Sequence, residues 1–253
     1  MYNTKPHNKM KRITFLKDDT LQVFRLGTTT NAKISAGKEK IVQSYTYSID
    51  QFNYVKDTLK AGKKLELKTF FSHDAKNCFD CPFSMNENGG GCYTHKFVQY
   101  RGFIGIIKSL ITEFESIDNI PSYNSEIEAE LIKISTGRFV RFGSYGEPSL
   151  HPVEVVKAMT KVAKSWTGYT HQYFRKPEYA PYFMASVHNE RQAATAATKF
   201  NYRSFVVSDH DDVENIVHCP ASKEMGFKSN CSACGLCSGT NGKGKKSVFI
   251  LEH

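Results

Sequence analysis

Two groups of cysteines carry the clearest chemical signal in this chain. Cys78 and Cys81 form a CxxC pair, and Cys92 follows after ten residues. Cys219, followed directly by Pro220, lies eleven residues before CSACGLC, which supplies Cys231, Cys234 and Cys237. A CxxC pair lets two thiolates from one tight turn meet one metal. Four thiolates saturate a zinc ion or an iron–sulfur cluster, whereas three leave a coordination position open for a small molecule. The first group is therefore where chemistry could occur, and the second is where a metal could staple the chain or carry electrons. His218 or His253 could replace a cysteine in a zinc site, and His73 or His95 could complete the first group. Buried free thiols are the plainest alternative for that group.

Between the groups lies RFGSYGEPSLHP, residues 141–152. Gly143 and Gly146 permit a close backbone approach, Glu147 offers a carboxylate, and Pro148 fixes the turn. Arg141 could bind a carboxylate or phosphate, although an ordinary ion pair would explain it equally well. In TGYTHQYF, strand alternation sets Tyr169, His171 and Tyr173 on one face. His171 could move a proton or touch substrate, or it could be a hydrogen-bonded structural histidine. Ser186 and His188 precede a helix start, an ordinary place for anions. Walker, GxGxxG, HExxH and GxSxG motifs are absent, which argues against the corresponding nucleotide-binding and hydrolytic classes.

These residues need elements to position them. KKLELKTFF reads as a strand leading into the first cysteine loop, where Gly89, Gly90 and Gly91 would let the backbone wrap closely. Residues 101–117 carry an apolar helical stripe. A second helix follows, with Ser125 and Glu128 as its capping box. Then strands at RFVRFG, WTGYTH, YFMASV and RSFVVS alternate with helices begun by Pro152 and capped by Asn189. Such alternation predicts an α/β fold with a parallel sheet and crossover helices. The count suits a partial (β/α) TIM-like barrel. We divide the chain into an N-terminal extension packed on the barrel (1–60), a barrel core (61–208) and a C-terminal cysteine-rich metal-binding appendage (209–253).

The 253 residues include 34 Lys and Arg against 25 Asp and Glu, a net charge of +9 that favours a nucleic acid or another anionic partner. Clusters at Lys5 to Arg12, Lys33 to Lys40, Lys60 to Lys64 and Lys243 to Lys246 spread this charge, so a solvated basic surface explains it as well. No apolar run is long enough to cross a membrane and no secretory leader is evident, so we expect a cytoplasmic protein with no membrane partner. Reduced thiols there favour metal ligation over disulfides. Oligomeric state is not readable from these features.

A cysteine loop ending in Cys92-Tyr93, a later strand running into SYGEPSL, and a C-terminal four-cysteine set together resemble the radical S-adenosylmethionine enzymes. The resemblance implies a partial barrel in which Cys78, Cys81 and Cys92 hold a 4Fe–4S cluster whose open iron binds S-adenosylmethionine. It also implies that the turn of Gly143, Gly146 and Glu147 receives the methionine end of that small-molecule cofactor, and that the last four cysteines bind an auxiliary centre. The chain departs from that family's CxxxCxxC spacing. CFDCPFS with GGGCY, RFGSYGEP, TGYTHQY, MASV, YRSFVV and CPASKE with CSACGLC also resemble an uncharacterised cysteine-rich bacteriophage family, which implies a host cytoplasm. Finally, Cys231, Cys234, Cys237 and His253 resemble the zinc ligands of guanine and 7-deazaguanine transglycosylases, which modify tRNA or DNA. Those enzymes begin their zinc motif CxC and need two aspartates, and Glu147, Asp209, Asp211 and Asp212 occupy no matching motif. A non-catalytic, metal-stapled nucleic-acid-binding protein is the remaining alternative.

Overall fold

The computed structural model describes residues 11–35, 37, 39–79, 81, 92, 99–209 and 216–251. Apolar alternation in the first fifty residues builds β1 (Lys11–Lys17), β2 (Thr20–Gly27) and β3 (Ile41–Ser48), paired antiparallel in turn. β4 (Phe139–Tyr145) then pairs parallel with β3, and β5 (Ser165–Thr167) parallel with β4, completing a first sheet of order β1-β2-β3-β4-β5. The second sheet contains β6 (Tyr169–Thr170), β7 (Met184–Val187), β8 (Ser204–Ser208), β9 (Val217–His218) and β10 (Val248–Leu251). Its order is β6-β7-β8-β10-β9, with every pair parallel.

Only Gly168 separates β5 from β6, so the chain passes from one sheet to the other within a single residue. A Cβ there would lie 2.4 Å from the Phe183 ring, which leaves room only for glycine. β1, β2 and β3 come from the first fifty residues, and β9 and β10 come from the cysteine-rich C-terminal segment. The first and last described segments, Lys11–Lys17 and Val248–Leu251, are thus both hydrogen-bonded into the sheets.

Helices cover the faces. α1 (Ile49–Lys60) starts with a capping box of Ser48 and Gln51, and packs with α2 (Leu67–Ser72) and α4 (Gln99–Phe114) over Phe52, Phe70, Phe71, Phe103 and Tyr145. Between them, α3 (Ala75–Cys78) is a single turn. α5 (Ser125–Ser135) and α6 (Val153–Val162) bury Leu131, Ile134, Val155, Val156 and Met159 against Val140 and Phe142 of β4. α7 (Glu190–Phe200) joins β7 to β8, capped by Asn189, whose side chain accepts from Gln192 N. α8 (Cys231–Cys234) holds the CSAC turn.

Three local expectations are corrected. KKLELKTFF contains helix α2, because the partly buried Leu67 and the buried Phe70 and Phe71, at i, i+3 and i+4, turn one helical face to the core. The strand that leads toward the first cysteine loop is β3. α5 is capped by Asn124, whose side chain accepts from Ile127 N, one residue before the expected Ser125, and Glu128 instead accepts from the Tyr123 hydroxyl. The strand at WTGYTH ends at Thr170, so His171 and Tyr173 lie beyond it and do not share a strand face with Tyr169.

Candidate functional site

β3 and β4 lie parallel, so their carboxyl ends bring distant residues to one place. Past Tyr145 the chain turns sharply. Gly146 has φ +76°, and a Cβ would sit 2.6 Å from the Thr46 carbonyl oxygen. Gly143 has φ +69°, and its Cβ would press on the Pro148 ring at 3.0 Å. Both glycines of the sequence motif are thus required by the backbone of the turn.

Glu147 is buried in that turn, at 5 % exposure. One carboxylate oxygen accepts from Ser149 N at 3.0 Å and the other from His171 N at 3.1 Å. Burial raises its pKa above the ordinary carboxylate range, opposed by hydrogen bonds from Thr170, Ser149 and His171. The carboxylate is therefore a fixed acceptor that ties the β4 turn to the end of β6.

The first cysteine group sits against the same turn. Glu147 N donates to the Asn77 carbonyl at 2.7 Å, and the buried Asn77 side chain donates to the Thr46 carbonyl at 3.1 Å. The next residue, Cys78, is the last of α3, and Cys81 N donates to its carbonyl at 3.2 Å. The Cys78 thiol is pushed well above its ordinary range, first by burial and then by Asp74, Cys81, Cys92 and Glu147. That shared field places the three thiols and two carboxylates in one electrostatic neighbourhood. The glycines at 89–91 and His95 lie outside the described residues.

The protein matches no family model, no curated protein and no solved structure.

The second group gathers at the opposite end of β4. CSAC forms one helical turn, capped by Asn230, whose side chain accepts from Ala233 N, and ended by Gly235 at φ +64°. Cys231 N donates to Lys33 O and Ser232 N to Ile34 O, each at 2.9 Å. Gly168 N donates to Cys237 O at 3.2 Å, and Cys219 N to Phe249 O at 2.8 Å. Cys219, Cys231 and Cys237 pack with Met184, Ala221 and Val248. The Cys237 thiol is pushed far up by burial, and it feels Cys219, Cys231 and Cys234 as well as a hydrogen bond with Tyr169. All seven cysteines are free. Among the described residues, no three His, Cys, Asp or Glu side chains stand in closed metal-ligand geometry. Free thiols are nonetheless the donor type that a thiophilic metal takes, and all seven cysteines are free.

The remaining sequence candidates divide between the two ends. The charge of Arg141 acts on Cys231. The His171 ring stacks on His188 at 5.9 Å, next to Glu147. His218 packs edge-on against Phe249 at 5.2 Å, and His253 lies outside the described residues, as do Asp211 and Asp212. The His73 ring packs against Tyr54. Of the basic clusters, Lys11 pairs with Glu130 and Arg12 with Glu113, and both line a cleft of about 360 Å³ remote from the cysteines. No helix among the described residues is long and apolar enough to cross a membrane.

Sequence reasoning missed four residues: Asp74, Asn77, His151 and Arg203. His151 is fully buried beneath the Glu147 turn, with Nε2 2.7 Å from the Ser44 hydroxyl, which also accepts from Gly143 N. Burial pushes its pKa down to about 3, so it is neutral and structural. A signal was present only for His151, which follows the Gly-Glu-Pro turn directly. The others lack any motif.

Proposed function

We propose that the protein is an iron–sulfur metalloenzyme of the radical S-adenosylmethionine type, acting on a nucleic-acid or other anionic substrate. The observation that carries this reading is the bond from Glu147 N to the Asn77 carbonyl. It joins the turn after the second parallel strand to the CxxC segment, two regions seventy residues apart. The strand order β3-β4-β5, continued after Gly168 by β6-β7-β8-β10, supports a partial barrel whose carboxyl ends open over this junction.

Cys78, Cys81 and Cys92 would hold the cluster, and Gly143, Gly146 and Glu147 would shape the seat for the methionine end of the cofactor. Bound there, the cluster and S-adenosylmethionine would supply reductive cleavage of the sulfonium bond. The chain's own contribution is electrostatic. Asp74 and Glu147 surround the thiols with negative charge, which favours a cationic ligand such as a sulfonium or an ammonium group. His171 and His188 stand beside this seat, where they can touch substrate. The four C-terminal cysteines would bind a second metal centre, and the surplus of basic residues would attract the anionic substrate.

The test is iron, zinc and acid-labile sulfide content after purification without oxygen. It is followed by assay of S-adenosylmethionine cleavage with a strong reductant. We expect a brown protein that loses about half its iron in the Cys78→Ala/Cys81→Ala/Cys92→Ala variant, the share of one of two clusters. A colourless protein with zinc and no sulfide would overturn the reading and favour the transglycosylase-like or binding-protein alternatives.

A further inference from the structure

β1 is the outer strand of the first sheet. It pairs with β2 across a two-residue turn, and the parity this sets directs the N–H and C=O groups of Arg12, Thr14 and Leu16 away from β2. Leu16 has its partners in the segment between α4 and α5. Leu16 N donates to Pro121 O at 2.9 Å, and Tyr123 N donates to Leu16 O at 3.2 Å. Those two bonds make a parallel bridge to Ser122, a single residue of added strand laid against the edge. Toward the amino end of β1 that cover stops. Among the described residues nothing pairs with the outward backbone of Arg12 and Thr14.

This open stretch floors the groove of about 360 Å³. Glu113 and Phe114 of α4 form one wall, and Glu126, Ile127 and Glu130 of α5 form the other. Thr14, which lines the groove, is only 8 % exposed, and its hydroxyl has no hydrogen-bond partner among the described residues. Buried hydroxyls are ordinarily bonded, so this one points to a partner that the described residues do not supply.

The walls set the chemistry of that partner. Lys11 is held by Glu130 and Arg12 by Glu113, whereas Glu126 has no ion pair among the described residues. Three carboxylates thus meet two engaged cations, on a protein whose overall charge is +9. A row of backbone donors and acceptors, apolar flanks at Phe114 and Ile127 and a spare carboxylate match an extended peptide with a basic side chain. A second copy is a poor fit, because its own β1 edge stands between the same two helices and they would collide with these.

We propose that the amino half of the β1 edge is a docking groove for an extended, basic peptide segment of a partner protein, added as a strand beside Arg12 and Thr14 with its cation on Glu126. The site shares no residue with either cysteine group and is independent of the chemistry proposed there.

The experiment measures, by fluorescence anisotropy, the affinity of the full-length protein for labelled Val-Thr-Lys-Thr-Val. Its lysine-to-glutamate counterpart and two forms N-methylated on one or the other alternate set of residues are compared with it. The lysyl peptide should bind, with the glutamyl peptide roughly 3- to 10-fold weaker for the loss of one ion pair. One of the two N-methylated forms should be weaker by roughly 10-fold or more, having lost the ladder donors. Glu126→Lys, a change at an exposed position, should reverse the preference toward the glutamyl peptide. Thr14→Val keeps the side-chain shape and should weaken binding roughly 3- to 10-fold, the worth of one hydrogen bond. No binding by wild type, affinity indifferent to Glu126→Lys, or equal affinity for both N-methylated forms and the parent would each overturn the proposal. A dimer in sedimentation that Glu126→Lys dissolves would assign the edge to a second copy and overturn it too.

Discussion

Around Cys78 the charged neighbours are thiols and the carboxylates of Asp74 and Glu147, whereas Cys219 and Cys231 have Lys33 and Arg141 as well as one another, Cys234 and the Glu224 carboxylate. The two groups are separated along β4, one meeting Tyr145 at its carboxyl end and the other Phe139 and Arg141 near its start. That is four to six residues of strand, roughly 13–20 Å. On the proposed reading, the negative surround would suit a metal that still accepts a cationic ligand, and the more positive one a centre whose own ligands overbalance the metal. Anchorage differs in the same sense. The first group is tied to the β4 turn through Asn77, and the second is bonded to Lys33, Ile34, Gly168 and Phe249.

The contrast can be broken most decisively by removing one thiol from each group. Cys231→Ser should lower the melting midpoint by roughly 10 °C or more, because the binding energy of a structural metal is folding energy. Cys78→Ser should leave the midpoint within about 3 °C while removing only its own metal. Equal losses in differential scanning calorimetry would erase the distinction. The Glu147 turn also carries a pH dependence. His151 titrates near 6.5 when unfolded and is held down to about 3 when folded, so its contribution is complete above pH 6.5 and is lost as the pH falls toward 3. Its worth is on the order of 4 kcal/mol. Urea midpoints across that window should fall more steeply in wild type than in His151→Leu.

Smaller changes sharpen the comparison. Gly146→Ala forces a Cβ toward the Thr46 carbonyl at positive φ and should cost about 1–3 kcal/mol. Metal content should then fall at the first group and hold at the second. Asn230→Ala removes the cap of the CSAC turn and should cost about 1 kcal/mol. Elemental analysis would show that loss at the second group alone.

Much of this arrangement was legible in the residues. The 3.6-residue stripe of α4, the Asn189 cap and the apolar runs of β4, β7 and β8 are local signals, and the structure bears them out. The grouping of the cysteines as three and four is a reading of CxxC spacing, and all seven are free thiols. Less legible were features decided by tertiary packing. KKLELKTFF alternates in sequence yet forms a helix that buries Phe70 and Phe71 and partly covers Leu67, since Phe52 and Phe103 offer that face a core. Arg203 is surrounded by no motif, because its partners are carbonyls that any residue could supply. Asn77 is similarly silent, its role set by a strand thirty residues earlier and a turn seventy residues later.

The placement of β10 carries a consequence for how the chain is made. Residues 248–251 enter between β8 and β9, and Val217 and His218 have their ladder on that strand. The second sheet therefore stays incomplete until residue 251 has been synthesised. The seat for Cys231 at Lys33 and Ile34 likewise waits for a segment two hundred residues away. During translation, β8 would present an open strand edge and the N-terminal loop an unfilled docking site, the state most exposed to mispairing. The four-cysteine pocket, whose Cys219 backbone bonds to Phe249 of β10, is then completed only after that strand has docked.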